Sequence, residues 1–319
     1  MGMARIYMIF MFVLMQSMRA AKAINVAVEH NGNGEQTTGI SDDERVVSSV
    51  SDDPNRFNYI EACRLIASQK VDEQEYFDNF RRIPAYLEIV EPTDAWIAKA
   101  YMEYIVQNCS WVQTNATIFD KVTQIDAFGN PHMHTFVIGD GKPFQATALA
   151  MQFGAFVGKI SNKILNRAHY SGNEKISTVL EIGGGFGALA LVATDILNFD
   201  SYTIVDIPEA LNVQKKFMSQ FPSIASKIKY IDGKKLVSEI LHDRNNDNLK
   251  TEEVDKNVDV NFDLCISTFA FSELTLQFRE IYFEKFVKFC KAGFFIVRNF
   301  MNIHVCQYTS INSLLCTRN

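Results

Sequence analysis

The chain has 319 residues, of which 47% are hydrophobic and 21% charged, and its formal net charge at pH 7 is −6. This length and composition predict a globular protein with one large domain, or one domain with an appendage. The acidic balance and the lack of a basic stripe in the sequence argue against nucleic acid as a partner.

The first 23 residues have the pattern of a secretory signal peptide. Arg5 precedes an apolar run at residues 6–15, and Ala21-Lys22-Ala23 supplies the small residues typical of a cleavage point. The run is shorter than the roughly 20 residues of a membrane-spanning helix, so we expect no stable membrane span after cleavage. A signal anchor is the alternative. The mature chain is predicted to lie in the secretory pathway, in the lumen of the endoplasmic reticulum or Golgi, or to be secreted.

Features elsewhere in the chain bear on that route. Two Asn-x-Ser/Thr tripeptides, at Asn108 and Asn115, are glycosylation acceptors on such a route, so we predict a glycoprotein. The six cysteines show neither a disulfide framework nor CxxC spacing, and we predict no metal centre. Cys265 lies within a predicted strand and is interpreted as a small buried apolar residue.

Residues 24–55 are rich in Gly, Asn, Ser, Asp and Glu, which predicts a disordered tether. Residues 56–170 predict a mainly helical region, because their apolar residues recur at helical spacing. Its predicted elements are helices within residues 57–108, a hairpin at 122–138 around Phe128-Gly129-Asn130-Pro131, and a helical stretch at 144–165. We expect this region to pack over the ligand edge of the sheet that follows and to shape an acceptor site.

The most informative segment opens the predicted domain at residues 171–319. An apolar run ends at Ile182, and a helix-forming run begins at Ala188, which indicates a strand, a turn and a helix. The turn contains Gly183, Gly185 and Gly187. Glu181 lies two residues before the first glycine. A carboxylate there would oppose a pyrophosphate at the helix N-terminus and would suit a cationic, phosphate-free ligand such as S-adenosylmethionine.

Two other interpretations of this turn stay open. A glycine-rich turn between a strand and a helix occurs without any cofactor, because the glycine pattern alone is a weak signal. Gly183-x-Gly185-x-x-Ala188 also matches the fingerprint of nicotinamide-dependent oxidoreductases, although Glu181 argues against that class.

Four more strands are predicted at residues 202–205, 228–231, 262–267 and 293–297, with helices between them, notably at 281–291. This alternation predicts an α/β fold with a Rossmann-like, doubly wound and mostly parallel sheet. Asp206 ends the second strand, where either a ribose-binding acid or a helix N-cap is expected. Asp232 ends the third strand, within an Asp-Gly pair that is also common in turns. Because ligands bind beyond the carboxyl ends of parallel strands, we expect these acids to meet at one site.

Three segments carry a family resemblance. They are Glu181-Ile182-Gly183-Gly184-Gly185-Phe186-Gly187, Val205-Asp206-Ile207-Pro208-Glu209-Ala210-Leu211 and Ser267-Thr268-Phe269-Ala270-Phe271-Ser272-Glu273-Leu274. Together they resemble the sugar O-methyltransferase family, within the class I S-adenosylmethionine-dependent methyltransferases. The likeness covers residues 57–302 and is clearer after residue 176. It implies methyl transfer to a hydroxyl of a sugar or glycan. The implied cofactor-binding residues are Glu181, Gly183, Gly185, Gly187, Asp206 and, near the adenine, Asp232.

A sugar hydroxyl reacts faster when its proton is removed, so a general base is expected. Glu273 follows the fourth strand and is the predicted base, with a helix-start carboxylate as the alternative interpretation. Other options are His132, His134 and His304. The first two form an H-x-H pair that could also be metal ligands or a surface strand pair. Arg298 and Asn299 are predicted either to bind acceptor oxygens or to cap the fifth strand.

The C-terminus is short for this fold. Class I methyltransferases usually add two strands after the fifth, including an antiparallel one, whereas residues 311–316 predict one short strand at best. This shortage predicts that C-terminal strands are missing, either because the chain is truncated or because it is the product of an incomplete gene model. An inactive binding protein that retains the fold is a further alternative function.

Overall fold

The computed structural model describes residues 54–91, 94–109, 117–137, 143–162, 176–245, 261–299, 302–308 and 314–317. The predicted signal peptide, nearly all of the predicted tether and the tripeptide at Asn115 lie outside the described residues. These expectations stay predictions.

The described part of the N-terminal region has five helices before its first strand. They are α1 (Pro54–Ala67), α2 (Gln74–Asp78), α3 (Pro84–Val90), α4 (Ala95–Asn108) and α5 (Thr117–Thr123). In α1 the apolar residues Ala62, Cys63 and Ile66 are buried. α3 has a proline in its first turn, where the missing N–H costs no hydrogen bond. No helix in the described part of the chain is long and apolar enough to cross a membrane.

A small hairpin and a buried helix complete this region. β1 (His134–Phe136) pairs antiparallel with β2 (Phe144–Ala146), and α6 (Ala148–Ile160) follows. The hairpin predicted at residues 122–138 is therefore wrong, since residues 124–127 form a 3-10 helix and β1 pairs with a later segment. The helix predicted at 144–165 begins later than expected, at Ala148, after Thr147 accepts a hydrogen bond from the Ala150 amide at 3.0 Å.

A seven-stranded sheet forms the centre of the C-terminal part. Its strands are β3 (Thr178–Ile182), β4 (Ser201–Asp206), β5 (Ile228–Asp232), β6 (Phe262–Thr268), β7 (Cys290–Asn299), β8 (Asn302–Tyr308) and β9 (Leu314–Thr317). The order across the sheet is β5-β4-β3-β6-β7-β8-β9. The first five strands pair in parallel, and β8 and β9 are added by antiparallel pairing. The intervening helices are α7 (Ala188–Leu197), α8 (Pro208–Met218), α9 (Pro222–Ala225), α10 (Gly233–Asn245), α11 (Ala270–Glu273) and α12 (Leu276–Lys285).

Both faces of the sheet are covered, because successive residues of a strand point to opposite faces. In β3, Val179 packs into one hydrophobic core, whereas Leu180 and Ile182 pack into another. The strand order reverses between β3 and β6, which places the ligand crevice of a doubly wound sheet beyond their carboxyl ends. The predicted fold class, α/β with a Rossmann-like and mostly parallel sheet, is confirmed.

Three local expectations in this part need correction. Two strands rather than one follow the fifth, since β8 turns back along β7 and β9 pairs with β8. The helix predicted at 281–291 spans Leu276–Lys285, and residues 287–289 form a separate 3-10 helix before β7 begins at Cys290. Cys265 is buried within β6 as expected, but it is bonded to Cys290 in a disulfide that joins β6 to the start of β7, with the two Cα atoms 5.9 Å apart.

Candidate cofactor site

The turn between β3 and α7, residues 183–187, is a glycine loop at the point where the strand order reverses. Gly183, Gly185 and Gly187 have φ angles of +77°, +56° and +92°, which explains why glycine occupies these alternate positions. The Gly183 amide donates to the Val205 carbonyl at 2.9 Å, and the Gly187 amide donates to the Gly184 carbonyl at 2.7 Å. Two of the loop's own donors are therefore already paired within the protein.

Neighbouring elements approach this loop closely. A Cβ atom on Gly183 would overlap Ala270 at the start of α11. A Cβ atom on Gly185 would lie 3.3 Å from the Val90 side chain at the end of α3 and, apart from the neighbouring residues 184 and 186, would meet no other described atom within 4 Å. The β6–α11 connection thus borders the loop on one side, and α3 of the N-terminal region borders it on the other.

Asp206 holds the loop in place. Its carboxylate accepts hydrogen bonds from the Gly184 amide at 3.0 Å, the Ile207 amide at 2.8 Å and the Gln214 side chain at 2.9 Å. The same Gln214 nitrogen donates to the Gly185 carbonyl at 3.0 Å. Burial raises the pKa of Asp206 to about 6, although these hydrogen bonds to the charged form oppose the rise. The N-cap position of α8 is Ile207, so the alternative N-cap role for Asp206 is not the one seen.

Glu181 lies beneath the loop rather than at its surface. Its side chain is on the face of the sheet that carries Tyr202, and the residue is only 1% exposed. The Tyr202 hydroxyl donates to its carboxyl at 2.9 Å. Burial raises the pKa of Glu181 to about 8, with a smaller rise from Asp206 and an opposing effect of the Tyr202 hydrogen bond. Near neutral pH the group is therefore mainly protonated, and it supports the loop from below.

Asp232 lies next to Asp206 at the sheet edge, because the two residues are paired in register at the ends of β5 and β4. One carboxylate oxygen of Asp232 accepts a hydrogen bond from the Lys235 amide at 3.0 Å, in the first turn of α10. The structure thus brings these two predicted site residues together and gives Asp232 a capping role as well.

The end of β6 forms the other side of the crevice. The buried Ser267 hydroxyl donates to the Ile182 carbonyl at 2.9 Å and accepts from the Phe271 amide at 3.0 Å, which ties α11 to the end of β3. Phe269 has φ +81°, a region that non-glycine residues rarely adopt and that is concentrated at functional sites. Glu273, the predicted base, is the exposed last residue of the short α11 that begins beside the loop.

A buried ionic cluster, which the sequence reading missed, joins the N-terminal region to the loop. The Arg81 guanidinium is fully buried and makes a two-pronged pair with Glu91 at 2.6 and 2.5 Å. It also donates to Asp126 at 3.1 Å and to Thr147 at 3.0 Å. Burial raises the pKa of both carboxyls, and the charge of Arg81 opposes that rise. The guanidinium lies 5.4 Å from the ring centroid of Phe186, a loop residue.

The predicted histidine pair lies at the start of the small hairpin. His134 lies in β1, and the rings of His132 and His134 are 4.9 Å apart. In the described segments no group of three or more His, Cys, Asp or Glu side chains is placed to hold a metal ion. Arg298 and Asn299 lie at the carboxyl end of β7, and His304 lies in β8.

No protein-family model matches this chain, and no curated protein sequence matches it. Solved structures do match over part of it. A Thermoplasma acidophilum protein is 17% identical, with a TM-score of 0.30 and 46% of this chain covered. An O-methyltransferase family protein from Burkholderia thailandensis is 10% identical, with a TM-score of 0.30 and 47% covered. The SAH-bound methyltransferase of Podospora anserina is 12% identical, with a TM-score of 0.29 and 67% covered. The chain spans 60%, 41% and 67% of these three proteins, respectively.

Proposed function

We propose that this protein is an S-adenosylmethionine-dependent O-methyltransferase that acts on a hydroxyl of a sugar or glycan. The proposal rests on the hydrogen bond between the Asp206 carboxylate and the glycine loop. This carboxylate bonds the Gly184 amide, while the amides of Gly183 and Gly187 donate to backbone carbonyls. Three loop donors are thereby occupied inside the protein.

This donor and acceptor set favours a cationic, phosphate-free ligand over a dinucleotide. A pyrophosphate is bound by unpaired amides at a helix N-terminus. Here the first residues of α7, Ala188 and Leu189, are at most 1% exposed. Carboxylates instead attract a sulfonium and accept hydrogen bonds from ribose hydroxyls. The nicotinamide-dependent oxidoreductase is therefore the weaker alternative.

The residues at the sheet edge fit such a cofactor. Asp206 would hold the ribose hydroxyls, Asp232 would lie near the adenine, and Gly183 and Gly185 would let the ligand approach the backbone. Glu181 would support the loop from beneath, because its carboxyl is buried against Tyr202. When bound, S-adenosylmethionine supplies an activated methyl group on its sulfonium sulfur.

Glu273 is the proposed general base. It is exposed at the end of α11, a short helix whose first residue packs against Gly183. Its carboxylate would take the proton of the acceptor hydroxyl while the oxygen bonds to the methyl carbon. The enzyme must also hold that oxygen in line with the departing sulfur. The sugar acceptor itself rests on the resemblance around Phe271-Ser272-Glu273-Leu274.

The secretory route belongs to the same proposal. Residues 1–23 would direct the chain into the secretory pathway, where glycan acceptors are present. Asn108, one of the two glycosylation acceptors, is exposed at the end of α4. Expression of the full chain in animal cells, followed by N-terminal sequencing of the product, tests this route. A cytosolic product that retains Met1 and carries no glycan would contradict it.

Methyl transfer is tested with the full chain, S-adenosylmethionine labelled in the methyl group, and a panel of glycans. We expect Glu273→Gln to lower the rate by about 10²- to 10⁴-fold, the usual contribution of a general base, with little change in cofactor affinity. The exposed Glu280→Gln on α12 is the matched control and should be nearly silent, as should His132→Ala and His134→Ala. Full activity in Glu273→Gln would remove Glu273 from the mechanism. Cofactor binding without transfer to any glycan would favour the inactive binding protein.

A further inference from the structure

Tyr86 on α3 has a hydroxyl that the fold leaves unpaired. The residue is 0% exposed, and its oxygen has no hydrogen-bond partner among the described residues. Such groups are rare in folded proteins and call for an explanation. The ring cannot turn easily, because it stacks on Tyr59 at 5.6 Å and meets the edge of Phe80 at 5.4 Å. The position of the unpaired hydroxyl is therefore fixed by packing.

The helix that carries Tyr86 lies over the glycine loop. Val90 is four residues further along α3 and so lies on the same face as Tyr86. A Cβ atom on Gly185 would be 3.3 Å from the Val90 side chain. Burial raises the pKa of Tyr86 well above its usual value, and the nearby Cys63 and Asp206 add to the rise. α3 thus brings Tyr86 to the side of the loop where Val90 approaches Gly185.

The ionic cluster keeps α3 in this position. Arg81 precedes the helix and Glu91 follows its last residue, and their two-pronged pair joins the two ends. Arg81 also lies against Phe186 of the loop. A hydroxyl on a helix held in this way is preorganised for a ligand bound at the loop.

We propose that the Tyr86 hydroxyl is a cofactor-binding group that donates a hydrogen bond to a ribose hydroxyl oxygen of the ligand held at Asp206. The inference rests on the proposed function, because it takes the ligand to be S-adenosylmethionine. A ribose hydroxyl can donate to the Asp206 carboxylate and accept from a phenol at the same time. The two side chains are therefore complementary, and together they select a ligand with ribose hydroxyls.

The test compares affinity with stability in Tyr86→Phe of the full chain. Calorimetry with S-adenosylhomocysteine should show an affinity about 3- to 10-fold lower than that of the wild type, the range of one hydrogen bond. The melting temperature of the ligand-free variant should be unchanged or higher, because an unpaired buried hydroxyl has been removed. Tyr101→Phe is the matched control: its hydroxyl accepts from the Gln152 side chain at 3.0 Å, so its loss should lower the melting temperature and leave affinity unchanged.

Ligand analogues locate the contact. For the 2′-deoxy or the 3′-deoxy analogue of S-adenosylhomocysteine, the difference between wild type and Tyr86→Phe should disappear. If the wild type binds S-adenosylhomocysteine and Tyr86→Phe binds it equally well, the inference is wrong and the proposed function stands. If the difference persists with both deoxy analogues, the ribose contact is wrong. If the wild type does not bind S-adenosylhomocysteine, the proposed function itself fails, and the inference fails with it.

Discussion

Glu181 should make the folded state less stable as the pH rises from 4.5 to 8. Its ordinary pKa is 4.5, whereas burial raises the pKa in the folded protein to about 8. Below pH 4.5 the carboxyl is protonated in both states and adds no penalty. Between these values the unfolded chain loses the proton and the folded chain keeps it, which favours unfolding. At about 1.4 kcal/mol per pH unit, the whole window corresponds to a loss of about 5 kcal/mol.

The Glu181→Gln variant tests this reasoning. Glutamine keeps an oxygen that can accept the Tyr202 hydroxyl but does not titrate, so the variant should lack this pH dependence. We expect it to exceed the wild type in free energy of unfolding by about 3–5 kcal/mol near pH 8 and to match it near pH 4, below the ordinary pKa of the carboxyl. Urea unfolding followed by circular dichroism across that range measures the difference, with the exposed Glu239→Gln as control. Equal pH slopes in wild type and Glu181→Gln would refute the argument.

Two further variants test the loop and the cluster that holds it. Gly185→Ala should fold but bind S-adenosylhomocysteine at least about 10-fold more weakly, because φ +56° is strained for a residue with a side chain and the added Cβ atom narrows the gap between the loop and Val90. The control Gly154→Ala, in α6, should leave the affinity unchanged. Equal affinities in the two variants would contradict this prediction. Arg81→Met should lose about 3–5 kcal/mol of stability, since two buried carboxyls lose their partner. An unchanged melting temperature would show that the cluster does not hold the N-terminal region in place.

The sheet and its loop could be predicted because their signals are local. Three alternating glycines, an apolar run before them and an acid at the end of the next strand each lie within a few residues. The structure places Gly183, Gly185 and Gly187 at positive φ, and pairs Asp206 with Asp232 at the edge.

The remaining features depend on contacts between distant parts of the chain. Arg81 meets a partner 10 residues away in Glu91 and others 45 and 66 residues away, and no sequence period marks such a cluster. The sequence shows that Glu181 is acidic but not that Tyr202 and the sheet bury it. The partner of β1 was misjudged for the same reason, because the pairing of short strands is settled by packing rather than by the strands themselves.

The central claim is that the loop after β3 holds S-adenosylmethionine rather than a nicotinamide dinucleotide. The most direct test is titration calorimetry of the full chain, with S-adenosylhomocysteine and separately with NADH. The variant Asp206→Ala removes the carboxylate that bonds the Gly184 amide of the loop. The account predicts binding of S-adenosylhomocysteine that is lost in Asp206→Ala, and no binding of NADH. Binding of NADH without binding of S-adenosylhomocysteine would contradict it.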